Sequence, residues 1–221
     1  MKYFQIALLL LIMSCGNEKI VQLPEITHSE VSEILDVSAA YLFYDETKKD
    51  SIELNRKSII GTTNWLVNVD KRLTLKQAIP KIIYLQDKKR NAEVHKNAAA
   101  KNYYTCNNSS IKNLGFIEFT DVYYKEKQSE DFTLEPNTLV VLFNSDSDIE
   151  LKLPDNETIK TSKATLLEDL KTITSKNVAL ETIQLFFNKN LTFQNYITFK
   201  SLLNQLNNKQ VLIANDEFIF Y

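Results

Sequence analysis

Three glycines in 221 residues set the tightest limit on what this chain can fold into and do. Average usage would supply roughly fifteen. Glycine is the residue that takes φ > 0 freely and lets backbone approach a ligand. With only Gly16, Gly61 and Gly115, the chain has no P-loop, no dinucleotide fingerprint and no Gly-x-Ser-x-Gly elbow for a serine nucleophile. Composition is otherwise ordinary, at 44% apolar and 24% charged residues, which suits one or two domains with a real core. Twenty-six basic residues stand against 28 acidic ones, and only Arg56, Arg72 and Arg90 are arginine. A surface that neutralises nucleic-acid phosphates needs a basic excess and an arginine-bearing patch. Nucleic acid is therefore not an expected partner.

Strand and helix periods alternate along the chain. Residues 37–44 and 51–54 read as strands around a polar turn. In residues 65–70, Trp65, Val67 and Val69 share a face. Thr74 followed by Gln77 is a capping-box pattern, and Leu75, Ile79, Ile82 and Ile83 then mark one helix face, with Pro80 expected to kink the helix or shorten its start. Residues 114–124 read as one strand, and the charged stretch 125–136 as a linker. Further on come strands at 137–143 and 149–153, then a helix carrying Leu166, Leu167, Leu170 and Ile173. A strand at 178–187 leads to a helix capped by Thr192 with Tyr196, Phe199, Leu203 and Leu206. Residues 211–214 and 218–221 read as a closing hairpin turning at Asn215 and Asp216.

The chain also echoes itself. Residues 67–75 align with 185–193 as strand, polar turn, Leu-Thr cap and helix. Upstream, Leu42 and Phe43 match Leu142 and Phe143, and residues 50–54 match 147–151. The predicted fold class is α+β: two related β-β-α-β-type units at 34–124 and 137–221, each a small mixed sheet covered by one or two helices.

The amino terminus carries the most specific signal. Lys2 precedes ten largely apolar positions, 4–13, too few for the roughly twenty that span a bilayer. Polar residues come directly after, as in an export signal. Ile12, Met13 and Ser14 then lead into Cys15, which resembles the lipobox of bacterial lipoproteins. That resemblance implies cleavage after residue 14, thioether lipidation of Cys15 and acylation of the new amino terminus. Two or more acyl chains make a stable anchor, where one is marginal. Residues 15–33 are then the lipidated cysteine and a tether. The Lys-rich, Asn-rich composition with Ser14, Cys15, Gly16 and Asn17 resembles lipoproteins of the Bacteroidetes. The likeness implies O-glycosylation at Ser51 in the triplet Asp50, Ser51, Ile52. The expected location is the cell envelope, on a membrane, the outer membrane favoured, with the bulk of the chain in the periplasm or at the surface.

Residues 137–221, and more loosely 34–124, resemble the periplasmic domain of the ExbD/TolR biopolymer-transport family in their element order and their strand, polar turn, Leu-Thr-aromatic, helix step. This implies a small α+β interaction module. Residues 1–14 hold no Asp or Glu, so the family's intramembrane proton carrier has no counterpart here.

Catalytic constellations are thin. Cys106 and His95 are the one thiol and imidazole within modest sequence reach, with no orienting third group evident. Two histidines and one available thiol fall short of a structural zinc site. Asn144, Asp146, Asp148 and Glu150 alternate like early calcium-loop positions but lack the turn glycine and the late glutamate. Glu118 and Asp121 would be acid–base candidates if buried. Asp70, Lys71, Asn188 and Lys189 occupy equivalent turns and read as turn chemistry. Aromatic positions such as Tyr41, Phe43, Tyr44 and Trp65 could flank a ligand groove, though at period two they more often pack across strands. The expectation is a non-catalytic partner-binding or scaffold protein without cofactor or metal. The alternatives are a glycan or small-ligand binder and, behind it, an envelope hydrolase.

Overall fold

The computed structural model describes residues 19–94, 97–127, 135–206 and 211–221. Among them, twelve strands make two mixed sheets of six, accompanied by three α-helices. The chain opens with β1 (Glu25–Ile26), β2 (Val37–Tyr44), β3 (Ile52–Asn55), β4 (Asn64–Val69), α1 (Leu75–Arg90), β5 (Asn102–Asn108) and β6 (Asn113–Glu118). The first sheet runs β1-β5-β4-β2-β3, with β6 antiparallel on β5. Then come β7 (Tyr123–Lys127), β8 (Thr138–Phe143), β9 (Ile149–Lys152), β10 (Thr158–Thr161), α2 (Leu166–Lys176), β11 (Thr182–Asn188), α3 (Phe193–Leu203) and β12 (Leu212–Phe220). The second sheet runs β10-β9-β8-β11-β12-β7.

The order β3-β2-β4-β5 in the first sheet is matched by β9-β8-β11-β12 in the second. Both begin with an antiparallel pair and continue with two parallel pairs. Registers match too: Ala40 faces Val67 and Leu42 faces Val69, as Val141 faces Leu185 and Phe143 faces Phe187. Leu42 thus corresponds to Phe143, one residue on from the Leu142 that sequence similarity selects. The difference decides the face, because a one-residue slip turns every side chain over. Phe143 lies in the main core, whereas Leu142 packs with Val140, Phe186 and Phe220 on the opposite side.

That main core is continuous through both halves. It gathers Leu42, Trp65 and Val67 from the first sheet and Val141, Leu185 and Phe187 from the second. From α1 it takes Ile79 and Ile82, from α2 Leu166 and Leu170, and from α3 Phe193 and Phe199. The halves also share backbone hydrogen bonds at the matching segments. Leu75 N donates to Leu191 O at 2.9 Å and Phe193 N to Leu73 O at 2.6 Å; Lys76 N donates to Lys189 O at 2.8 Å and Gln194 N to Lys71 O at 3.2 Å. Thr74 and Thr192 sit opposite one another in an antiparallel bridge. The four bonds form two reciprocal pairs, the arrangement of an isologous interface, here within one chain.

The structure corrects several expectations. Residues 114–124 are not one strand: the chain turns between Phe119 and Val122, and the Gln86 side-chain amide donates to both carbonyls. Beyond that turn, β7 joins the second sheet parallel to β12. Lys125, Glu126 and Lys127 therefore belong to a strand rather than a linker, and residues 128–134 of the expected linker lie outside the described residues. Residues 19–31, read as tether, are bound to the body. Gln22 bonds Asp70 and Lys71, β1 pairs with the end of β5, and Val31 bridges Phe116. Gly115 permits that last approach, since a Cβ there would stand 2.6 Å from Ser29 Oγ.

The hairpin expected at Asn215 and Asp216 is instead part of the continuous β12. Its register against β11 shifts between Ile183 and Leu185, and the Gln184 side chain donates to Asp216 O in the irregular stretch. Strands β5 and β10 have no counterpart in the sequence reading. The sheets, at six strands each, are larger than the small ones anticipated. Pro80 does not shorten α1, which starts at Leu75. Left-handed backbone falls to Asp36, Asp50, Ser51, Lys112, Asn137 and Asn156, and to no described glycine.

Candidate functional site

The densest buried polar cluster lies where the two halves meet. Tyr104 on β5, Tyr124 on β7 and Tyr196 on α3 form a hydroxyl chain, with Tyr104 to Tyr124 at 2.6 Å and Tyr124 to Tyr196 at 2.9 Å. Tyr196 donates to Glu217 Oε2 on β12 at 2.8 Å, and Lys200, one turn further along α3, donates to Glu217 Oε1. An ionised carboxylate only accepts, and a tyrosine hydroxyl has a single proton. The chain therefore has one direction: Tyr104 donates to Tyr124, Tyr124 to Tyr196, and Tyr196 to Glu217. Burial pushes all three phenols above their ordinary pKa. Tyr104, Tyr196 and Glu217 are fully buried, so the cluster meets the neighbouring half of the protein rather than a substrate. No short motif marks it, because its members come from four elements; the i, i+4 spacing of Tyr196 and Lys200 on one helix face is its local trace.

A second buried charge fastens the amino-terminal segment. Asp70 is fully buried and accepts from Arg72 Nε and Nη2, both at 2.8 Å, from the Arg72 amide, and from Gln22 N at 3.2 Å. Burial works to raise its pKa, but these hydrogen bonds outweigh it and hold the carboxyl below its ordinary value. Asn188, the matching residue, accepts from Asn190 N. The turn reading of these residues is thus joined by a pinning role at Asp70.

Three surface hollows hold the remaining candidates. One, ≈ 350 Å³, lies on the outer face of the first sheet and is lined by Lys19, Val21, Leu23, Tyr41, Phe43 and Asn68, among others. Tyr41 stacks on Phe43 with centroids 5.8 Å apart. Another, ≈ 510 Å³, is bordered by Ser51, Thr74, Lys76, Gln77 and Lys81. Ser51 sits half-buried in the turn just before β3. The third, ≈ 200 Å³, contains Lys89, Arg90, Asn102, Asp121 and Tyr123. The Lys89 amine donates to Lys101 O at 2.9 Å, Asn102 Oδ1 at 3.0 Å and Thr63 O at 3.3 Å, and stands 4.9 Å from the Trp65 ring centroid. Burial pulls its pKa down to about 8.

The other sequence candidates are dispersed. Cys106 is buried, and burial pushes its thiol up to about 12, which removes the reactive thiolate at neutral pH. His95, Cys15 and the export-signal positions 1–14 lie outside the described residues. Glu118 is part-exposed and pairs with Lys101 at 2.8 Å, and Asp121 is exposed. Asn144 Nδ2 donates to Asp148 Oδ2 within a hairpin turn. Among the described residues, no group of three or more His, Cys, Asp or Glu side chains could hold a metal ion, and no helix is long and apolar enough to cross a membrane. Trp65 is buried with Nε1 donating to Ile60 O at 2.8 Å, so Tyr41 rather than Trp65 borders the open groove. No protein-family model, no curated protein and no solved structure matches the chain.

The buried ion pair at the end of the tyrosine chain and the half-buried Lys89 amine are open to measurement. Glu217→Gln or Lys200→Met alone leaves one buried charge unpaired and should cost about 3–5 kcal/mol, whereas the double variant should recover much of that loss. Urea denaturation of the four proteins reads the coupling, and additive losses would contradict it. For Lys89, the unfolded amine keeps its proton to about pH 10.4. Between about pH 8 and that value the unfolded state binds more protons, so stability rises with pH. Relative to Lys89→Met, the wild-type urea midpoint should climb from about pH 7.5 to about pH 10; a flat difference would exclude the lowered pKa.

Proposed function

We propose that the mature chain is a non-catalytic binding or scaffold module of a bacterial cell envelope, held on a membrane by lipid at Cys15, with the outer membrane the favoured site. The observation that carries this reading is where the reactive groups are spent. Three tyrosines link the halves, Glu217 and Lys200 hold the end of that chain within the second half, Asp70 pins the amino-terminal segment, and Cys106 is sealed in the core. Partner binding suits a rigid body, and the buried Glu217, Lys200 and Asp70 side chains each bond to other parts of this one.

The same reading takes the two halves as products of a duplication. Matching strand order, matching register and the reciprocal bonds around Thr74 and Thr192 support it. The ExbD/TolR likeness stays part of the proposal for residues 137–221 and rests on element order and the Leu-Thr-aromatic step. O-glycosylation is proposed at Ser51, whose turn borders an open hollow. A glycan or small-ligand binder is the second reading, favoured by the stacked Tyr41 and Phe43 in the outer groove.

Mass spectrometry of the envelope-purified chain tests the anchor and the modification together. The expected amino-terminal peptide begins at Cys15 and carries diacylglycerol plus an acyl chain, and the Ser51 peptide carries a glycan lost in Ser51→Ala. Cys15→Ser should move the chain out of the membrane fraction. An unmodified Cys15, with fractionation unchanged in Cys15→Ser, would overturn the anchor.

A further inference from the structure

We infer that the outer face of the first sheet, around Ile20 and Tyr41, lies against the phospholipid surface that holds the anchor. The inference rests on lipidation of Cys15 and goes beyond it, because an anchor alone does not orient the body.

Leash length carries the argument. Lys19 is four residues beyond Cys15, and four residues span about 14 Å at most. From Lys19 onward the chain is fastened. Lys19 Nζ bonds Asp45 and Glu53, Val21 and Leu23 line the groove beside Tyr41 and Phe43, and Gln22 is held by Asp70 and Lys71. The bilayer surface must therefore come within that distance of one particular place on the body, the outer face of the first sheet where β2 and β3 form a hairpin.

The side chains displayed there fit an interface. Ile20 is 77% exposed between Lys19 and Val21, which face the groove. Val37 and Tyr41 are exposed on the strand face that also carries Phe43. Tyrosine is suited to this depth, with an apolar ring and a polar tip. The adjoining turn exposes Lys48, which pairs with Glu53 at 3.8 Å, and Lys49 beside Glu46 and Asp50, so the apolar side chains rather than net charge carry the docking.

The test uses the full lipidated chain in vesicles of phosphatidylethanolamine and phosphatidylglycerol. A solvent-sensitive maleimide dye is placed on Ile20→Cys, on Tyr41→Cys and, as a remote control, on Val178→Cys, whose parent side chain is 86% exposed. Buried Cys106 does not compete for the label. The expected result is blue-shifted emission at positions 20 and 41, quenched at least about twofold by nitroxide-bearing lipid, with position 178 unaffected. If the protein floats with the vesicles while 20 and 41 behave like 178, the docked face is wrong and the anchor stands. If it fails to float, the anchor itself is overturned, and the docked face with it.

Discussion

The first turns of α1 and α3 cap each other. A helix leaves its first amides without partners inside the helix, and in this protein those of Leu75, Lys76, Phe193 and Gln194 donate to carbonyls of the opposite half. Each segment before a helix thus supplies acceptors for the other helix. Separating the halves would strip these four backbone hydrogen bonds, break the tyrosine chain and expose a core that is continuous through both. A buried donor or acceptor left without a partner costs about 1–3 kcal/mol, so the ribbon ties the fate of one sheet to the other.

Around that ribbon, the polar groups nearest the join are arranged to tolerate burial. The Lys200 and Glu217 pair has its remaining acceptor capacity met by Tyr196, and the hydroxyl chain extends the network into the first sheet at Tyr104. Such a network favours one arrangement of the halves, since sliding would leave the Tyr104 or Tyr124 hydroxyl without its partner while the ion pair stays within the second half. The amino-terminal segment is subject to the same logic through Asp70. The proposed membrane anchor thereby gains a stiff connection: motion at the lipid reaches the body through bonded residues rather than a long free tether.

Much of this was legible in local patterns. Alternation of Trp65, Val67 and Val69 marked β4, and the spacing of Leu75, Ile79 and Ile82 marked α1. The likeness of residues 67–75 to 185–193 picked out the two segments that meet, although nothing in the sequence said that they meet each other. Strand β5 was hidden because Tyr103 and Tyr104 are both buried, so no wet face alternates with a dry one. At Asn215 and Asp216 the local turn preference surfaces only as the break in pairing with β11, while Asp216 pairs with Tyr123 of β7 and the strand continues. Glu217 could not be singled out from 28 acidic residues, because its importance comes from Tyr196 and Lys200 on another element.

The claim that everything else leans on is that the halves fold as one. Urea unfolding monitored at once by fluorescence of Trp65, the chain's single tryptophan and a core residue of the first sheet, and by far-ultraviolet circular dichroism of the whole chain, tests it most directly. Coincident transitions with one midpoint are predicted. A tryptophan transition displaced from the dichroism, leaving one sheet folded after the other has melted, would contradict the account.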